Sequence, residues 1–171
     1  TIIDIALKRF DKNAEIKILD MGTGSGCLLI ALLHEFKNAR GIGSDISPDA
    51  LAIAKENGVL NGVHARVKWI ESDWDENISE TFDLIISNPP YIRSAVIPEL
   101  DENVRNFDPI LALDGGDDGL QAYKKIISSI YPFLNKGGIV LFEIGFDQAE
   151  DVMRLGKESR FSVKDVHADL S

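Results

Sequence analysis

The chain has 171 residues, enough for one domain with a buried core. Its composition, 44% apolar and 27% charged, is that of an ordinary globular protein, and no apolar run approaches the ~20 residues of a membrane-spanning helix. A formal net charge of −10 argues against nucleic acid, which rewards cationic surfaces through counterion release; it would suit a basic partner better, but its first reading is that it keeps the domain soluble.

The opening residues, Thr1 to Lys8, lack the basic region and cleavage site of a signal peptide. A single cysteine, Cys27, can form no internal disulfide. Both features predict a cytoplasmic protein. Cys27 is expected to pack among its apolar neighbours. His34, His64 and His167 lack metal-ligand spacing, so no metal is expected.

In chain order, Ile2, Ile3, Ala6, Leu7 and Phe10 recur at helical spacing. Glu15 to Asp20 reads as a strand that runs into Gly22-Thr23-Gly24-Ser25-Gly26. Cys27 to Lys37 follows as a helix, and Ala39 to Asp45 as a second strand. Ser47-Pro48-Asp49 starts the next helix, with serine as cap and proline in the first turn. Gly58 is predicted to end that helix. Arg66 to Asp73 is a third strand, and Phe82 to Ser87 a fourth that leads into Asn88-Pro89-Pro90-Tyr91. Leu120, Tyr123, Ile127, Ile130, Tyr131 and Leu134 line one helix face. Asn135-Lys136-Gly137-Gly138 then turns into a fifth strand, Ile139 to Ile144. A helix over 148–158 and a strand over Phe161 to Val166 complete the pattern.

This alternation predicts an α/β fold: a doubly wound, mostly parallel sheet with helices on both faces. The stretch from Ile92 to Asp118 shows no periodicity. It is too long for an ordinary connection, typically under ~12–15 residues, and reads as a substrate-facing lid.

The glycine loop after the first strand has the spacing GxGxG. It lacks the GxGxxG of dinucleotide folds and the Gly-Lys-Ser/Thr ending of a phosphate loop. With Asp20 it suits a nucleoside carrying a charged amino-acid tail. Asp45, ending the second strand, can accept from ribose hydroxyls. Asp73 and Trp74, ending the third, can hydrogen-bond and stack on an adenine. Each signal alone is weak, since a glycine turn is often only a turn and an aspartate often only a cap. Three consecutive strand ends carrying glycines, an acid, and an acid with an aromatic together predict S-adenosylmethionine as cofactor. The loop contacts are Asp20, Gly22, Thr23, Gly24, Ser25 and Gly26.

At the fourth strand end the chemistry is different. Methyl transfer is an in-line displacement, so a catalyst must chiefly hold the acceptor nitrogen at ~3–3.5 Å from the methyl carbon. The Asn88 side-chain oxygen and the Pro89 carbonyl can accept the two N–H groups of a planar amide or amino nitrogen. Two prolines stiffen the backbone, and Tyr91 can pack on the substrate plane. Asn88, Pro89 and Tyr91 are the predicted catalytic residues. Asn88, Pro89, Pro90 and Tyr91 are the predicted substrate contacts, with Asn88 also touching the cofactor.

These two motifs, with Ser72-Asp73-Trp74, the run Asn103 to Pro109, Ala112 to Leu120, Gly137-Gly138, and Glu143-Ile144-Gly145 with Gln148, resemble the release-factor glutamine methyltransferases over nearly the whole chain. The resemblance implies a class I, Rossmann-like methyltransferase. Its implied substrate is the glutamine of the Gly-Gly-Gln motif in a peptide chain release factor, with no nucleic-acid or membrane partner. It also implies that 1–171 is a catalytic-domain fragment, without the family's N-terminal helical domain and without the last strand that follows Asp169-Leu170. Ile110 stands where many relatives carry a basic residue. Two other readings share parts of the site: an adenine or guanine amino-group methyltransferase acting on DNA or RNA, disfavoured by the acidic charge, and a non-catalytic binding subunit, disfavoured by the intact loop and Asn88.

Overall fold

The computed structural model describes residues 2–103 and 109–167. The chain divides into two compact units, Thr1–Asn88 with Pro132–Phe142 and His167–Ser171, and Pro89–Tyr131 with Glu143–Val166.

The first unit holds the sheet. Strands β1 (Lys17–Met21), β2 (Arg40–Asp45), β3 (Val67–Glu71), β4 (Phe82–Ser87) and β5 (Leu134–Phe142) are all parallel, in the order β3-β2-β1-β4-β5. Strands β1 and β4 pair with Met21 opposite Ser87, so the switch in strand order falls between them. Central strands of a parallel sheet are shielded on both faces, and β4 shows it: Leu84, Ile85 and Ile86 are all fully buried.

Helices α1 (Ile2–Arg9), α2 (Cys27–Glu35) and α3 (Pro48–Leu60) belong to the same unit. Ile2 and Ala6 of α1, with Leu29, Leu32 and Leu33 of α2, share one core with Ile18, Phe36, Leu84 and Ile86. Each leucine, isoleucine or phenylalanine among them, fully buried, contributes about 1.5–3 kcal/mol. The last carbonyls of α2 would be left without partners. The Arg66 guanidinium donates to the oxygens of Leu33 at 2.7 Å, Phe36 at 3.1 Å and Ala39 at 3.1 Å. Helix α3 starts as expected, with Ser47 Oγ accepting from the Ala50 amide at 3.2 Å.

Four sequence expectations are corrected. Gly58 does not end α3, which continues to Leu60. Its hydrogen side chain instead leaves room for the Trp69 indole, 3.3 Å from where a β-carbon would sit. Leu134 is not on a helix face but opens β5, because Pro132 cannot continue the helix and a 3₁₀ turn, Tyr131–Phe133, intervenes. Cys27 is exposed rather than packed, because it opens α2 on the solvent side of the first turn. Phe161 to Val166 is not a strand. A strand needs a partner ladder, and none pairs with it among the described residues. Phe161 instead packs its ring edge-on to Tyr131 at 5.7 Å.

In the second unit, the segment expected to be irregular is tied to itself. Ile92 pairs in parallel with Asp114. The Ile92 amide donates to Leu113 O at 3.0 Å, and the Gly115 amide donates to Ile92 O at 2.8 Å. Ser94 Oγ donates to Asp114 Oδ1 at 2.6 Å, which with the Gly116 amide lowers the Asp114 pKa. A 3₁₀ turn, Ile97–Glu99, and one helical turn, Ile110–Leu113, lie within it. Residues 104–108 of the family-like run, and Asp169-Leu170, lie outside the described residues. Helices α4 (Gln121–Ser129) and α5 (Ala149–Glu158) pack together in this unit. Tyr123, Ile126 and Ile127 of α4 are buried. No helix among the described residues is long and apolar enough to cross a membrane.

Candidate active site

The carboxyl ends of β1, β2 and β3 build one surface from residues that the sequence had placed on separate strands. Beyond Met21, the amides of Gly22 and Thr23 both donate to Ser44 O, at 2.8 and 2.9 Å, which bends the glycine loop across the end of β2. The Gly26 amide then donates to Thr23 O at 2.9 Å. Gly22, Gly24 and Gly26 all have positive φ, at 69°, 53° and 79°. Side-chain-bearing residues avoid this region, which explains the glycines. A β-carbon on Gly24 would meet nothing within 4 Å, so the loop's crest is open to a ligand.

Two carboxylates hold the loop. Asp45 Oδ2 accepts from the Gly24 amide at 2.8 Å, and its Oδ1 accepts from the Ser47 amide at 2.9 Å. Each oxygen keeps a further lone pair for a ligand hydroxyl. Asp20 is buried, and its Oδ2 accepts from Thr23 Oγ1 at 2.6 Å. Burial pushes the Asp20 pKa up to about 7; the Thr23 hydroxyl and the Leu29 amide oppose the rise, and the Asp45 charge adds to it. Asp20 and Thr23 therefore brace the loop from inside, while Gly24, Ser25 and Asp45 are open to contact.

The end of β3 is also built. The Ser72 amide donates to Asp45 O at 2.9 Å. The Ser72 hydroxyl donates to Trp74 O at 3.0 Å and accepts from the Asn77 amide at 3.0 Å. Trp74 has φ 54°, a conformation that costs a non-glycine residue about 1–3 kcal/mol and persists only when its surroundings hold it. Its ring lies against Gly22, with Cζ3 3.4 Å from where a β-carbon would sit. Asp73 and Trp74 are both half-buried beside the loop's strand ends.

Asn88 follows Ser87 directly at the end of β4 and is exposed. Ser87 is fully buried, and its Oγ donates to Met21 O at 2.7 Å. Gly22 and Asn88 are thus the first residues beyond the last rung of two paired strands. Pro89 begins the second unit and is buried; Pro90 and Tyr91 are half-buried. No cluster of His, Cys, Asp and Glu suited to a metal occurs among the described residues.

Sequence reasoning missed three supports. Trp69 lies flat against β2, where a β-carbon on Gly43 would sit 2.4 Å from its ring, and it also backs Gly26. Asn57 Nδ2 donates to Ser25 O at 2.9 Å. Ser87 was read only as a strand end. Gly43 beside a tryptophan one strand away was the available signal for the first, but only the parallel register makes them neighbours.

The methyltransferase small domain family matches residues 3–103. The chain belongs to that family. As a methyltransferase small domain it is 46% identical over 169 residues to a release factor glutamine methyltransferase of Agrobacterium fabrum, covering 99% of this chain and 58% of the relative. It is 43% identical over 155 residues to the protein of the same name from Caulobacter vibrioides, covering 90% of this chain and 54% of the relative. The chain thus spans little more than half the length of these curated relatives. Its fold is that of class I methyltransferases: a crystal structure of a methyltransferase from Pyrococcus furiosus superposes with a TM-score of 0.71 at 20% identity, over 98% of this chain and 75% of that one.

Proposed function

We propose that this methyltransferase domain transfers a methyl group from S-adenosylmethionine to the side-chain amide nitrogen of the glutamine in the Gly-Gly-Gln motif of peptide chain release factors. The names of its curated relatives support the substrate. One observation carries the chemistry: the Ser87–Met21 rung makes the glycine loop and Asn88 exit neighbouring strands side by side.

The residues present suit the cofactor. The open crest at Gly24 gives a ligand room to approach the backbone, and Asp45 offers lone pairs for two ribose hydroxyls. Trp74 offers an indole beside Gly22 for a purine, with Asp73 as acceptor for its amino group. When bound, S-adenosylmethionine supplies an electrophilic methyl carbon on a sulfonium.

The chain's own part is to bind and to orient. An amide nitrogen is a poor nucleophile because its lone pair is delocalised. Asn88 Oδ1 and the Pro89 carbonyl, as acceptors for its two N–H groups, turn the nitrogen toward the methyl donor and favour the positive charge that develops on it. Asn88 makes no side-chain hydrogen bond to any described residue, so its amide is available for this task. The two prolines limit reorganisation. Tyr91 supplies a ring for the planar amide. The same reading makes the protein cytoplasmic and acting on protein rather than nucleic acid, as the net charge of −10 favours.

The test uses the full-length protein with methyl-labelled S-adenosylmethionine. Purified release factor should be labelled, and release factor with its Gly-Gly-Gln glutamine replaced should not. Label appearing in DNA or tRNA alone would overturn the proposal.

A further inference from the structure

Within the second unit, one buried side chain holds the segment that carries Tyr91. Gln148 is 3% exposed. Its Nε2 donates to Tyr91 O and to Gly119 O, both at 3.0 Å. Its Oε1 accepts from the Gly145 amide at 3.0 Å. Three chain segments distant in sequence therefore meet on one carboxamide. Only a carboxamide can do this, because it donates two N–H bonds and accepts on the same plane.

The glycines around it are sized for that group. Gly119, at φ 72°, has no β-carbon; one placed there would lie 2.6 Å from Gln148 Nε2 and 2.6 Å from Tyr91 O. A β-carbon on Gly145 would lie 2.9 Å from Gln148 Oε1 and 3.3 Å from Tyr91 Cδ2. The Gln148 main chain is held as well: its amide donates to Gly145 O at 3.1 Å, and its carbonyl accepts from the Val152 amide at 3.0 Å in the first turn of α5. On the surface, Arg93 and Asp147 pair at 2.9 Å and join the same two segments a second time.

We propose that Gln148 is a positioning residue for methyl transfer, acting through the Tyr91 main chain. The inference rests on reading Asn88 to Tyr91 as the turn that holds the acceptor amide. The rings of Pro89 and Pro90 set two φ angles there, but leave ψ and the whole of Tyr91 to be fixed by other groups. Gln148 fixes the far end. A displacement of ~1 Å in such a turn costs turnover by about a hundredfold while leaving a separate cofactor site alone.

Two variants of the full-length protein test it. Gln148→Glu keeps the size and the acceptor for Gly145 but sets a carboxylate against two carbonyl oxygens. Gln148→Met keeps the bulk and loses all three bonds. Both are expected to lower kcat on release factor roughly ten- to hundredfold, with the S-adenosylmethionine dissociation constant within about twofold of wild type, which also shows that the variants fold. A carboxyl between two carbonyls titrates high, and its protonated form donates one bond. Gln148→Glu should therefore recover part of its loss relative to wild type as pH falls from about 8 to about 6, and Gln148→Met should not. Wild-type kcat in both variants, a parallel loss of cofactor affinity, or equal recovery in both would overturn the proposal. Amide hydrogen exchange at Tyr91, Ile92 and Arg93 separates this inference from the proposed function. Unchanged exchange in Gln148→Glu removes the hold of Gln148 on Tyr91, whereas faster exchange alongside an inactive wild type removes the proposed function and leaves that hold standing.

Discussion

Ser87 Oγ donates to the main-chain oxygen of Met21 across 2.7 Å, at a position with no solvent exposure. A buried hydroxyl is tolerated only when paired, and here the pair joins the last residues of β4 and β1. The residues that follow are Asn88 and Gly22. Open α/β sheets bind ligands beyond the carboxyl ends of their strands at a switch in strand order, and this bond ties the two strand ends together there.

Asn88 makes no side-chain hydrogen bond among the described residues, so its removal should be read in turnover. Asn88→Ala is expected to lower kcat by about 10²–10³, the loss typical of one transition-state hydrogen-bond partner, with cofactor affinity nearly unchanged. Steady-state kinetics with calorimetry on the same preparation checks both halves. Equal losses would mean that Asn88 serves the cofactor instead.

Asp45 should show the opposite split. Its carboxylate holds the Gly24 amide at 2.8 Å and faces the open side of the loop. Asp45→Ala is expected to weaken S-adenosylmethionine binding by roughly ten- to a hundredfold, the equivalent of losing a charged hydrogen-bond partner worth about 1.5–3 kcal/mol. An unchanged dissociation constant would refute the assignment.

Gly43→Ala tests the packing behind the loop. The added methyl would lie 2.4 Å from Trp69 Cζ3 and 3.0 Å from Thr23 Oγ1. Overpacking of this kind costs about 1–3 kcal/mol, readable as a lower denaturant midpoint. Shrinking the ring in Gly43→Ala/Trp69→Leu should recover part of the loss. If the single variant is as stable as wild type, the indole does not lie where the structure places it.

Asp20 makes stability depend on pH. Burial raises its folded pKa to about 7, against 3.8 for an ordinary aspartate carboxyl, as in the unfolded chain. Below about pH 4 both states hold the proton. Between the two values the folded state holds it and the unfolded state does not, so rising pH favours unfolding; above about 7 the effect is complete. The contribution is on the order of a few kcal/mol. Asp20→Asn, which cannot titrate, should flatten the decline between about pH 4 and pH 7 in denaturant melts. A wild-type slope in that variant would mean other groups cause it.

Much of the framework was readable from residue order alone. Apolar runs such as Leu84-Ile85-Ile86 and their alternation with helical spacing point to a parallel sheet with helices on both faces. The loop glycines, Asp45, Trp74 and Asn88 were legible because positive φ, strand ends and proline-stiffened turns are local properties. Local signals also misled. Gly58 looked like a helix stop and serves instead as clearance for Trp69, and Phe161 to Val166 had strand composition but no ladder to join among the described residues. Tertiary structure alone decided that Trp69 backs Gly43, that Ser87 bonds Met21, and that Gln148 gathers Tyr91, Gly119 and Gly145. Register and packing bring these residues together from separate segments, and a buried polar group finds its partners only when the chain has closed around it.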